Sequence, residues 1–256
     1  RLWFLEQIQP GLPTYNTPSG HRLFGKIDEA AFERAFATMV ERQTSLRTVF
    51  AVAPGGEPIA RVLPNVTCRL FPAEDLSHLP VAEREQVLEQ TLTQLALQPF
   101  DLLNGPLFRT RMFRLGEEEH VLFFMMHHAV WDGWSFDLFY QEMSALYPAC
   151  VTRTEPRLSE LPVTYGDFAA WQREWMSGNE LTEQVTHWKQ ALEGGIDPIE
   201  LPVDRPRPPV QSGQAGTLWL NLPSDVANGV RELGRRADAT PFMVLLAIFS
   251  ALLHRM

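Results

Sequence analysis

The chain has 256 residues, with 22 Lys+Arg against 31 Asp+Glu and a formal charge of −9. That balance argues against a nucleic-acid partner, which would call for a basic face. Hydrophobic residues make up 45% and charged residues 21%, the profile of a folded chain rather than a disordered one. No run of about 18 apolar residues occurs and no basic-then-apolar leader opens the chain, so neither a membrane partner nor a secretory route is expected. Cys68 and Cys150 lie far apart and show no metal-ligand spacing, which reads as two free thiols in a reducing, cytoplasmic setting. The sequence opens at Arg1 and stops at Met256 inside an apolar helical run, so a piece of a longer polypeptide is expected.

In chain order, residues 1–11 predict a short helix stopped by Pro10 and Gly11, followed by a strand at 21–25. Asp28 caps a helix to about Arg42, with Ala31, Phe32, Ala35, Phe36 and Met39 on one face. Residues 46–52 and 58–63 predict a hairpin around Pro54-Gly55-Gly56. A helix at 81–98 carries Val87, Leu88, Leu92, Leu95 and Leu97. Strands at 108–115 and 121–127 flank a turn at Gly116, and the second is apolar throughout, as a strand covered on both faces would be. Phe136, Phe139, Met143 and Leu146 then recur at helical spacing over 133–147. Residues 151–162 predict a linker, 165–176 and 179–192 two helices, 201–209 an extended Pro-rich connector, and 217–222 a strand. Ser224 caps a helix to about Ala237, and Thr240 caps the final helix from Pro241. Mixed strands and helices with few βαβ units indicate an α+β sandwich.

The window that carries chemistry is His127-His128-Ala129-Val130-Trp131-Asp132-Gly133. Adjacent side chains on a strand point to opposite faces, so one histidine at most faces a given cavity. A neutral imidazole at a strand end can act as a general base or hold a reacting amine by a hydrogen bond. Gly133 admits a close backbone approach, and its N–H at a helix N-terminus can stabilise anionic charge. A histidine at a strand end is also often a satisfied core residue, and residue type alone leaves the two readings even. A metal site from His127, His128 and Asp132, with His120 on the preceding hairpin strand, is the weaker alternative.

These residues resemble the HHxxxDG signature of condensation domains of nonribosomal peptide synthetases, in the chloramphenicol-acetyltransferase-like superfamily. Residues 1–5 (Arg-Leu-Trp-Phe-Leu) resemble the end of the family's opening motif, and 42–50 match RHxxLRTxF with Gln43 in place of the usual His. Residues 99–102 with 105–109 are also typical, Tyr165-Gly166-Asp167-Phe168-Ala169-Ala170-Trp171 matches a fourth motif, and 201–208 is the usual connector. The similarity runs the whole length, in the family's order.

The resemblance implies two lobes of that acyltransferase fold joined in a V, here an N-terminal lobe at 1–164 and the beginning of a C-terminal lobe at 165–256, the second incomplete. It implies a tunnel where a donor acyl or peptidyl thioester meets an acceptor aminoacyl thioester. Each would ride on the phosphopantetheine arm of an upstream or downstream peptidyl carrier protein, with a neighbouring adenylation domain. The chain would need no metal and no redox cofactor of its own. His128 would be the central catalytic residue. His127, Asp132, Gly133, Arg47 and Arg42 would be structural, with Asp132 ion-paired to Arg47 first and Arg42 second. Trp131, Trp134 and Ser135 are candidate tunnel-lining residues, with space-filling the preferred reading of Trp131. The paired histidines argue against a heterocyclisation domain, and Gly133-Trp134-Ser135-Phe136-Asp137 continues as in condensation rather than epimerisation domains. A stand-alone acyltransferase of the same superfamily and a non-catalytic docking or gating module remain as alternatives.

Overall fold

The computed structural model describes residues 2–194, 200–206, 209, 216, 218 and 220–256. The chain divides into two compact units, residues 1–181 and 182–256.

The first unit opens with helix α1 (Leu2–Ile8), strand β1 (Asn16–Phe24) and helix α2 (Glu29–Arg42). The hairpin β2 (Thr48–Val52) and β3 (Pro58–Val62) follows, then β4 (Glu74–Asp75), α3 (Val81–Ala96), β5 (Phe108–Gly116), β6 (Glu119–His127), α4 (Gly133–Thr152) and α5 (Tyr165–Trp175). A four-stranded sheet runs in the order β1-β6-β5-β4, with β2 and β3 forming a separate pair. β6 is antiparallel to both of its neighbours, Asn16 lying opposite His127 and Phe108 opposite Met126.

The unbroken apolar run of β6 is explained by cover on both faces. Leu122, Phe124 and Met126 join the buried cluster with Phe36 and Met39 of α2 and Phe139, Met143 and Leu146 of α4. Val121, Phe123 and Met125 join the cluster with Leu88 and Leu95 of α3 and Phe113 and Leu115 of β5. Each fully buried side chain of this size contributes about 1.5–3 kcal/mol of transfer free energy, so the sheet is a firm platform for whatever its strand ends carry. Gly105, at φ +62°, packs so close to the hairpin that a Cβ there would lie 2.5 Å from Val49 Cγ1.

Several expected boundaries move, each for a local reason. Residues 46 and 47, expected to open the strand, belong instead to a 3₁₀ turn at Thr44–Arg47, because Leu46 is drawn into the core and the Thr48 hydroxyl bonds back to the Thr44 carbonyl at 2.8 Å. α4 runs past Pro148 to Thr152, where Ala149 is buried and Arg153 closes the helix in a left-handed conformation at φ 55°. β4 was not expected: two residues paired in parallel with β5 are too short to leave a pattern. Leu97 is exposed because α3 stops one residue before it.

The α6 helix (Asn179–Ala191) spans the boundary between the units. The second unit continues with α7 (Ser224–Arg236) and α8 (Pro241–Arg255). Thr240 caps α8 as expected, accepting from Met243 N. Ser224 does not cap α7: Pro223 holds the cap position and no side-chain cap bond forms. Gly234 lets α7 close onto the turn that follows, where a Cβ would fall 2.7 Å from the Ala239 carbonyl oxygen. The expected strand at 217–222 and connector at 201–209 fall partly on residues outside those described; the described part of each has no regular structure. Among the described residues no single helix is long and apolar enough to cross a membrane.

Candidate active site

The two histidines end β6 in opposite environments. His127 is 3% exposed. Its backbone N–H donates to Leu107 O at 2.9 Å, and its Nδ1 accepts from Ala129 N at 3.1 Å. Because Nδ1 is an acceptor, the neutral ring carries its proton on Nε2. Phe100 meets the ring edge-on at 6.0 Å and Tyr15 lies at 6.2 Å. The Arg109 guanidinium covers the Phe100 ring at 4.2 Å while donating to the Gln98 carbonyl. Burial, and to a smaller extent the neighbouring His128, lowers the His127 pKa to about 4. His127 is therefore a neutral brace that locks the turn after β6.

His128 is exposed. Its backbone N–H donates to Tyr15 O at 2.8 Å, which ties the strand end to the segment entering β1. The ring thus leaves a fixed backbone and is open to a reactant. Val130 N–H closes the turn on His127 O at 3.0 Å, and Trp131 follows as a buried anchor, 7% exposed. Trp131 packs edge-on against Phe124 and Phe136, both at 5.2 Å, and against Phe139 at 6.2 Å. Trp131 is packed into the buried cluster, the space-filling place that was one of its two expected readings. Trp134 is 74% exposed and belongs to neither buried cluster.

Asp132 is the N-cap of α4. Its Oδ1 accepts from Ser135 N at 3.0 Å and from the Ser135 hydroxyl at 2.8 Å, while Ser135 Oγ accepts from Asp132 N at 3.2 Å. These bonds from Ser135 hold the carboxyl below its ordinary pKa, with the charge of His128 adding to the effect. The expected ion pair with arginine is not formed. Arg47 instead donates to main-chain carbonyls, Leu63 O at 2.7 Å and Glu41 O at 2.9 Å, joining the end of α2 to the end of β3. Arg42 pairs with Glu142 of α4, Nε to Oε1 at 3.0 Å. Asp132 is structural, as a helix cap and not as an ion-pair partner: the residue beside Trp131 must turn the chain into α4, and a carboxylate satisfies the orphan N–H groups there. Gly133 is exposed, and a Cβ at that position would meet nothing within 4 Å. Its small size leaves the α4 N-terminus open from outside.

Glu142 was missed by sequence reasoning. It is 7% exposed and also accepts from Gln43 Nε2 at 2.7 Å. The signal was present: it sits between Phe139 and Met143, inside the apolar stripe of α4, where a charge needs a partner. The residues around His127 were not linked to it from sequence either, since Tyr15, Phe100 and Leu107 come from three segments outside β6 that meet only in the folded chain. Among the described residues, no three His, Cys, Asp or Glu side chains group to hold a metal ion. His127 and His128 differ in exposure, and His120 is buried further back on β6.

Comparison with known proteins places this geometry. The family described as Condensation domain matches residues 1–256. A linear gramicidin synthase of Brevibacillus parabrevis is 40% identical over 255 residues, 100% of this chain and 5% of that protein. Phosphinothricin tripeptide synthetase PhsC of Streptomyces viridochromogenes is 38% identical over 255 residues, 100% of this chain and 23% of that protein. The X-domain of teicoplanin biosynthesis, solved in complex with OxyB, superposes with a TM-score of 0.78 at 28% identity, covering 96% of this chain and 54% of that one. The first condensation domain of the CDA synthetase gives a TM-score of 0.78 at 21% identity, covering 99% and 60%, a likeness of fold. The chain thus spans a small part of these curated relatives and little more than half of the solved chains, in the α+β chloramphenicol-acetyltransferase-like fold. With its paired histidines at the end of β6 and the helix-capping aspartate after them, the chain belongs to the condensation-domain family of nonribosomal peptide synthetases.

Proposed function

We propose that residues 1–164 form the N-terminal lobe, and 165–256 the opening of the C-terminal lobe, of a cytoplasmic domain that joins two carrier-tethered substrates by an amide bond. The amine of an aminoacyl thioester attacks the carbonyl carbon of an acyl or peptidyl thioester. A C–N bond forms, the C–S bond breaks, the amine loses one proton, and the departing thiolate takes one up. The exchange is redox-neutral. Upstream and downstream carrier proteins deliver both substrates on phosphopantetheine arms, and an adjacent adenylation domain loads the acceptor.

The observation that supports this reading is the division of labour between the histidines: His127 is buried, neutral and fixed, and His128 is exposed on a backbone held at both sides. His128 orients the amine and accepts its proton as attack proceeds. Holding both tethered reactants at one point supplies much of the rate, since well-oriented reactants gain effective molarities of about 10⁵ M or more. Asp132 fixes the α4 N-terminus beside the ring. Donor and acceptor carriers, both loaded, are mixed with the complete domain and followed by intact mass. The acceptor carrier should gain the donor acyl group. Acylation of free amines or alcohols instead would favour a stand-alone acyltransferase. No transfer to any acceptor would favour a docking module, the reading supported by likeness to an X-domain solved with OxyB.

A further inference from the structure

Away from His128, one face of β1 turns a serine and a histidine toward α4. Ser19 and His21 are two residues apart on the strand and so point the same way. Ser19 Oγ lies 2.7 Å from His21 Nε2, and Tyr140 of α4 brings its hydroxyl to 3.2 Å from His21 Nδ1. Rings hold the imidazole in place: Phe139 stacks on it at 6.4 Å and Phe136 lies at 6.5 Å. Burial lowers the His21 pKa, which keeps the ring neutral and able to accept a proton at neutral pH. Ser19 and His21 are partly exposed and Tyr140 is 45% exposed, so the cluster faces solvent as it stands. Ser19 is four residues past Tyr15, whose carbonyl anchors His128. On an extended strand that is about 13 Å, so the cluster is separate from the His128 site.

The strand supplies a free donor as well. β1 lies at the edge of its sheet, with β6 as its neighbour among the described residues. The bonds His128 N–H to Tyr15 O and Gly25 N–H to Glu118 O bracket the ladder, both in the register that sets Ser19 opposite Phe124. Bonded pairs alternate along an antiparallel ladder. The odd-numbered residues of β1 therefore bond to β6, and the N–H of Gly20 points off the free edge. Pro18, which has no N–H to give, falls in the same outward set, where an edge strand tolerates it. The N–H of the residue after a nucleophile is a place from which a developing oxyanion is stabilised.

We propose that Ser19, His21 and Tyr140 form a second reactive site, in which Ser19 is the nucleophile that cleaves acyl thioesters. With the ring protonated at Nδ1 and donating to the Tyr140 oxygen, Nε2 accepts the Ser19 proton. Tyr140 is the positioning residue. A thiol, with a pKa of about 8.5, leaves as thiolate without help from an acid. A thioester therefore asks less of a site with a single free N–H than an ester or an amide does. In the first step the Ser19 Oγ–C bond forms, the C–S bond breaks, and the serine proton passes through His21 to the departing sulfur. In the second, water attacks the acyl ester, the C–Oγ bond breaks, and a water proton returns to Ser19 through His21. The sum is thioester plus water to carboxylic acid plus thiol, without redox change. This activity goes beyond the amide-forming reading and does not depend on it.

The complete domain is treated with diisopropyl fluorophosphate and followed by intact mass and peptide mapping. It should gain one diisopropylphosphoryl group, on Ser19, with loss of fluoride, and Ser19→Ala should gain none. His21→Gln should slow the addition by about 10²-fold or more. Tyr140→Phe, which keeps the ring, should lower the maximal rate of addition and leave the half-saturating reagent concentration in place. Thermal midpoints are measured alongside; Ser19→Ala removes one oxygen and keeps the test decisive even where His21→Gln fails to fold. With S-acetyl-N-acetylcysteamine as substrate, thiol release should continue over many turnovers and fall in Ser19→Ala to the rate without protein. No addition at Ser19, or thiol release that survives Ser19→Ala, overturns the site. Failure to join carrier-bound substrates, with thiol release still dependent on Ser19, overturns the proposed function and spares this one.

Discussion

At the scale of single residues, the window from His127 to Asp132 assigns one task to each side chain. His127 titrates well below an ordinary histidine, at about 4. Between pH 6.5 and about 4 the unfolded chain binds a proton that the folded chain refuses, so stability is full above about pH 6.5 and falls as the pH drops through this range. The loss is on the order of 3 kcal/mol. Urea midpoints of the complete domain measured from pH 7 to pH 4 should fall, and His127→Gln should flatten that slope while lowering the midpoint at pH 7. A slope unchanged by the substitution would assign it to other groups. Asp132 works in the same sense at lower pH. Its depressed pKa means that the cap is intact above the ordinary carboxylate range and is lost as pH falls through the folded value. Asp132→Ala should cost about 1 kcal/mol and Asp132→Asn much less, because asparagine caps nearly as well. Trp131→Ala would open a cavity beneath the turn and cost about 3–5 kcal/mol, read as a fall in thermal midpoint.

At the scale of elements, α4 is the part that the rest of the site depends on. Its start is fixed by the Asp132–Ser135 box, its middle by Glu142, and its buried face by Phe139, Met143 and Leu146. Glu142 reaches two successive residues at the end of α2, Arg42 and Gln43, and Arg42 also donates to the Ser159 carbonyl in the segment after α4. Removing either member of this half-buried pair strands a charge, at a cost of about 3–5 kcal/mol. Arg42→Ala and Glu142→Ala should therefore be strongly non-additive in thermal unfolding, whereas Asp132→Ala and Arg47→Ala should add, since they share no bond. The opposite pattern would restore the aspartate–arginine pair. The helix faces were legible in the sequence because apolar spacing dictates them: all five residues expected on the α2 face are buried. The partner of Arg42 was not, because an ion pair between residues a hundred positions apart follows from how α2 crosses α4, and spacing along either helix is silent on that. The N-cap role of Asp132 was legible in principle, since Asp followed three residues later by a hydrogen-bonding side chain is a helix-start signal.

At the scale of the whole molecule, motifs scattered along the sequence converge. The segment at 99–109 supplies Phe100, Leu107 and Arg109 around His127, and the residues just before β1 supply the carbonyl that holds His128. The segment at 42–50 ties α2 to α4 and to the hairpin, with Phe50 N–H donating to Leu102 O at 2.7 Å. A central strand covered on both faces gives His127, its last residue, and His128 just after it a firm support. The order of motifs was legible because it is local; their meeting point required the sheet register. The account stands on His128 being the exposed residue at which the two substrates meet. The most direct test is the single-turnover rate of amide formation by the complete domain carrying His128→Ala, measured with both carriers loaded and beside its thermal midpoint. The account predicts a rate reduced by about 10²-fold or more with the midpoint unchanged; an unimpaired rate in a folded variant would contradict it.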